Sequence, residues 1–176
     1  MRLKIIITIH NNSCKYEWKI IHRERYKVKA TEGRIGRVFI LRLEDGDIVP
    51  DSIEKFAKDN GIEVGHVTLL GGTKKGNIIV GPRNTAELPP VKMTFPIDEA
   101  YEIVASGLIA PDEKMELVLH IHGVLGRAEK SICGCLREGV ETWLVGEVII
   151  YEIIGATVKR ILDDKSGFVL LNVAIF

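Results

Sequence analysis

The sequence has little proline (6 of 176 residues), few cysteines (3), few aromatic residues (6%) and no excess of either charge, with 24 Lys+Arg against 24 Asp+Glu. Balanced charge leaves no global cationic field to condense on a phosphate backbone, which argues against a plain DNA-coating role. Three cysteines make no disulfide framework, and an odd number in a mid-sized chain reads as thiols or metal ligands. No run of about 18 uncharged apolar residues occurs, because the most apolar stretch, Trp143 to Val158, is broken by Glu147 and Glu152. No membrane partner is therefore expected. The basic start, Met1 to Lys15, offers only Ile5 to Ile9 as an apolar run, short of the roughly 7–15 residues of a secretory core, so the expected location is the cytoplasm.

What is present is a core-forming composition. With 46% hydrophobic residues, the length fits one domain that buries roughly 70% of its unfolded surface without help from disulfides or a structural metal. Charge is unevenly spread. Residues 1–42 hold eleven basic residues against Glu17, Glu24 and Glu32, a local net of +8 that leaves −8 on the rest. Such a segment reads either as an arm for nucleic acid or a membrane surface, or as the solvated face of a strand, since Trp18, Ile20, Ile21, Tyr26 and Val28 interleave with the charges.

Residues 1–33 read as a basic extension and 34–176 as the domain. Arg37 to Leu43 is β-branched and aromatic and ends at the turn signal Glu44-Asp45-Gly46-Asp47, as a strand does. Pro50-Asp51-Ser52, then Ile53, Phe56, Ala57 and Asn60-Gly61, predict a helix over about 51–60. His66 to Leu70 reads as a buried strand, so strand, helix and strand fit one βαβ crossover. Later runs, at 77–80, 91–95, 101–109, 117–125, 143–154, 158–162 and 168–176, are short, apolar or alternating, and separated by Gly, Pro, Asn and Asp. The expected fold class is α/β (α+β): a mixed, largely antiparallel sheet packed with one or two helices.

The sharpest chemical signal is His120-Ile121-His122. Strand alternation puts both imidazoles on one face, about 7 Å apart along it. Cys133-Gly134-Cys135 follows after the turn-like segment 126–130, and a hairpin return brings that pair beside the histidines. Two His with one or two Cys form a borderline-soft set that suits zinc, and three protein ligands leave a position open. The alternative is a pair of exposed strand histidines followed by ordinary buried cysteines. Glu138 and Glu141 are candidate acid–base groups beside a metal-bound water, or solvated loop charges. Gly71-Gly72-Thr73-Lys74-Lys75-Gly76 reads as a turn, with a phosphate cradle the weaker reading because the P-loop order is missing. His66 reads as a core or edge histidine.

The order of these motifs resembles a known family. Gly36 to Gly46, then Ser52 to Ala57 and Asn60-Gly61-Ile62, then Tyr101 to Gly107, His120-Ile121-His122 and Cys133 to Gly139 are similar to the PPC (plants and prokaryotes conserved) domain, over about residues 34–174. The resemblance implies an α/β fold with a largely antiparallel sheet, a homotrimer, and a histidine metal site near the subunit interface. Its first two ligands map onto His120 and His122. The third falls on Cys135, where relatives carry histidine. The family's regulatory or DNA-associated role implies DNA or a transcription factor as partner, yet this chain has no Arg-Gly-Arg-Pro hook. Two further classes stay open, a metal-dependent enzyme with Glu138 as base and a purely structural interaction module.

Overall fold

A computed structural model describes the chain at residues 4–10, 13–19 and 28–173, with side chains from residue 28 onward except that of Glu138. The elements are β1 (Lys4–His10), β2 (Ser13–Lys19), β3 (Arg34–Glu44), α1 (Val49–Asp59), β4 (Gly65–Pro82), β5 (Lys92–Ile97), β6 (Tyr101–Pro111), β7 (Leu117–Arg127), β8 (Lys130–Ile154), β9 (Val158–Asp163) and β10 (Phe168–Val173). Among the described residues strands dominate and there is a single helix, so the α+β expectation holds. Strands β1 and β2 pair antiparallel, and β9 and β10 form a second hairpin.

The main sheet runs in the order β3-β8-β7-β6-β4-β5, and β8 also pairs with β4. Because β3 and β4 each run antiparallel to the same stretch of β8, they are parallel to one another with β8 between them. The strand–helix–strand unit read from the sequence is therefore a split one: a later strand has entered the gap. Its length made this invisible locally, since β8 spans 25 residues and changes partners along its course.

Alternation fixes which residues form the core. In β7, Leu119, Ile121 and Leu125 are buried while His120, His122 and Val124 are exposed. Register carries the same face across the sheet: Leu41, Val148, Leu69 and Ala105 share one inner row, and all but half-buried Leu41 are buried. Helix α1 packs Val49, Ile53 and Ala57 into this core, and the Phe56 ring meets Phe39 edge-on at 5.4 Å. The helix begins two residues before its expected start, with Pro50 in the first turn and no side-chain cap. Proline suits that turn because the missing N–H would have no partner there.

The outer face is different. Val38, Ile40, Leu70, Val104 and Val124 all point out, with Ile40 82% and Val104 68% exposed. The apolar segment 145–154 is covered more fully on one face than on the other: Gly146, Val148, Ile150 and Glu152 are buried, whereas Val145, Ile149, Tyr151 and Ile153 are half-buried and Glu147 is exposed. One polar clamp ties β3 to β8. A register shift between Ile35 and Val38 turns Arg37 so that its amide, Nε and Nη2 all donate to the Glu152 carboxylate at 2.7–3.0 Å. The guanidinium and amide hold that carboxyl down at about 2.

Candidate metal centre

A two-residue turn at Ala128-Glu129 joins β7 to β8, with Arg127 opposite Lys130 and Ala128 at φ 50°. This turn sets the register of everything before it. Counting back, Val124 faces Cys133, Gly123 faces Gly134, and His122 faces Cys135. Beyond that pair β8 leaves β7 and continues along β4, where Ile79 is the partner of Cys135. The glycine between the cysteines is needed for this approach, since a Cβ at Gly134 would come within 2.7 Å of the Ile79 carbonyl oxygen.

The structure brings His120, His122 and Cys135 together. One ligand atom from each lies within 4.8 Å of the others. The two Nε2 atoms are 3.0 Å apart, and the rings meet edge to face at 83°. Cys135 is buried, whereas both histidines are exposed on the open side. Cys133 lies one row further along the same face, across from Val124, and is exposed. Two residues of strand, roughly 7 Å, separate it from the converging atoms.

Electrostatics favour neutral imidazole here. Burial of the ring, together with the charges of Arg137, His122 and Arg160, lowers the His120 pKa to about 4, so its lone pair is free at neutral pH. Arg137 Nε donates to Cys135 Sγ at 3.1 Å. Tetrahedral ligands bound at 2.0–2.3 Å sit roughly 3.3–3.8 Å from each other, so a set already within 4.8 Å fits a zinc-like ion with side-chain adjustments of an ångström or less. The donor set is two nitrogens and a sulfur, suited to a borderline-soft cation.

The other sequence candidates do not join this cluster. The Glu141 carboxylate pairs with Lys74 at 3.2 Å and is opposite Lys75 in the sheet. The Glu138 side chain lies outside the described residues. The segment 71–76 is neither turn nor phosphate cradle: it runs as strand within β4, with register shifts against β8. Its glycines permit close backbone approach, a Cβ at Gly71 meeting the Val145 carbonyl oxygen at 2.3 Å where φ is +144°. His66 is half-buried on the outer face, its Nε2 3.0 Å from Ser106 Oγ and its ring stacked on Tyr151 at 6.2 Å. Sequence reasoning passed over Ser106, although its place directly across from His122 follows from the β6–β7 register. It also missed Arg160 of β9, which lies 3% exposed behind the cluster.

Comparison with known proteins agrees with this architecture. The model of the Plants and Prokaryotes Conserved (PCC) domain matches residues 30–154. The chain belongs to this family, the one abbreviated PPC above. Among solved structures it is similar to a metal-containing protein from Archaeoglobus fulgidus, with 25% identity and a TM-score of 0.72, covering 82% of this chain and 99% of that one. It is likewise similar to a plant- and prokaryote-conserved protein from Pyrococcus horikoshii (24%, TM-score 0.71, 82% and 97% covered). A protein provisionally named DNA-binding, from Bacteroides thetaiotaomicron, shares the fold at 18% identity and a TM-score of 0.67, with 81% and 97% covered. Among curated proteins none matches.

Proposed function

We propose that this PCC-family chain is a homotrimeric regulatory module in which His120, His122 and Cys135 hold a zinc ion. The observation that carries the reading is the convergence of three good zinc donors within 4.8 Å of one another. The metal-containing relative from Archaeoglobus supports it. Bound there, the ion supplies a Lewis-acidic position open to one further ligand. The chain's own residues do the rest: neutral His120 presents a lone pair, Arg137 donates to the Cys135 sulfur, and inner-face packing of Leu119 and Ile121 fixes the strand that carries both histidines.

Regulation is favoured because, among the described side chains, cations and apolar groups line the cavity beside the cluster and no carboxylate does; hydrolysis would need Glu138 as its base. The exposed Val38, Ile40, Leu70 and Val104 support a partner copy on the outer face. Association with DNA, if direct, belongs to the basic Arg23–Arg42 region and not to residues 43–176, whose net charge is −8. Deleting residues 1–33 then abolishes most low-salt binding, whereas tight, sequence-specific binding by the truncated chain at physiological salt would overturn that assignment. Metal analysis combined with sedimentation velocity tests the whole: a trimer carrying one metal per chain supports it, and a metal-free monomer after zinc loading refutes it.

A further inference from the structure

The cavity next to the cluster carries a charge imbalance that the cluster does not account for. Its volume is about 560 Å³, within the range of small-molecule sites. Three cations, Lys92, Arg137 and Arg160, line it, and among the described side chains no aspartate or glutamate does. Arg160 is 3% exposed. Its Nε and Nη2 donate to the carbonyls of Val118 and Leu108 at 3.2 and 2.8 Å, and no described carboxylate forms an ion pair with it or with Arg137. Cys135 and Glu54 act on Arg160 through space and Glu54 on Arg137 as well, but Cys135 already accepts from Arg137 Nε at 3.1 Å, and Glu54 lies outside the lining and accepts the Leu119 amide at 2.7 Å. A buried guanidinium held only by neutral carbonyls is costly, and an anion in the cavity relieves that cost.

The remaining walls are apolar. Phe168 and Leu170 of β10 face the cavity together with Pro82 of β4, and the Lys92 ammonium sits 5.6 Å from the Phe168 ring centre. A small inorganic anion would leave these walls unused. Arg160, Phe168 and Leu170 all lie beyond residues 30–154, the span of the family match.

We propose that this cavity binds a small organic anion, a carboxylate with an apolar body, its head held by Arg137 and Arg160 and its body packed against Phe168, Leu170 and Pro82. The arginine fork matches carboxylate geometry and offers paired N–H donors. The inference shares a cavity with the proposed metal centre but stands on the arginines, so metal-free protein binds the anion too.

The test is calorimetric titration of octanoate into the full chain, both chelator-treated and zinc-loaded, with octanol and inorganic phosphate as controls. Because Arg160 holds two backbone carbonyls and its loss endangers the fold, exposed Arg137 carries the test as Arg137→Gln, with Leu170→Glu placing a like charge on the apolar wall. Octanoate should bind both forms once per chain, octanol and phosphate far more weakly, and each substitution should weaken octanoate about tenfold or more. No octanoate binding in either form, unchanged binding by Arg137→Gln, or binding only with zinc overturns the proposal. Retained octanoate binding in a chain that takes up no metal overturns the metal reading alone.

Discussion

Along β7 two faces of one strand do different work. Leu119, Ile121 and Leu125 enter the core, while His120, His122 and Val124 stand on an open surface. The inner residues are interchangeable in chemistry but not in volume, and the outer ones are the reverse. The contrast extends across the sheet, where the inner row through Leu69, Ala105 and Val148 is buried and the neighbouring outer positions Leu70 and Val104 are exposed. Stability and function are thus written at alternate positions of the same sequence, so substitutions on the two faces should separate cleanly.

The largest effect should come from the inner face. Ile121 is fully buried, and Ile121→Ala should cost about 2–5 kcal/mol in urea denaturation. A loss below about 1 kcal/mol would mean that the inner row is loosely packed and the contrast false. Next is the outer apolar row: if the proposed trimer forms through it, Val104→Asp should dissociate that trimer at micromolar concentration in sedimentation velocity, yet leave the unfolding free energy of the monomer within about 0.5 kcal/mol. Simultaneous loss of fold and assembly would place Val104 in the core instead.

The clamp between β3 and β8 sharpens the comparison because it is a polar tie at the sheet edge. Glu152 titrates at about 2 when folded against 4.5 as an ordinary glutamate. Its contribution is therefore complete above pH 4.5 and disappears as pH falls from there toward 2. Glu152→Gln should lower the melting temperature by a few degrees at pH 6 and show a smaller decline than the native chain between pH 4.5 and 3. Parallel curves for the two proteins would deny the clamp its role. The smallest effect belongs to Cys133→Ser, which should leave metal content unchanged, because Cys133 sits one row from the converging atoms.

Much of this was legible in the sequence because strands announce themselves by period two. Leu117 to Leu125 predicted its own faces, and the turn after Gly126 predicted the return that sets His122 against Cys135. Contacts that depend on long-range sheet order were not legible. The insertion of β8 between β3 and β4 has no local signature, and the run 71–76 looked like a turn because the glycines that let strands approach closely are the same residues that make turns. Arg160 was missed for the same reason: its carbonyl partners, Val118 and Leu108, are 42 and 52 residues away.

His120, His122 and Cys135 are proposed to act as one site, and the most direct measurement is the metal content of the purified chain after zinc loading and desalting, beside that of His122→Ala. The native chain should hold about one zinc per chain, and His122→Ala, equally folded, should bind it about a hundredfold or more weakly. Equal zinc in the two proteins, or none in the native chain, would contradict that proposal.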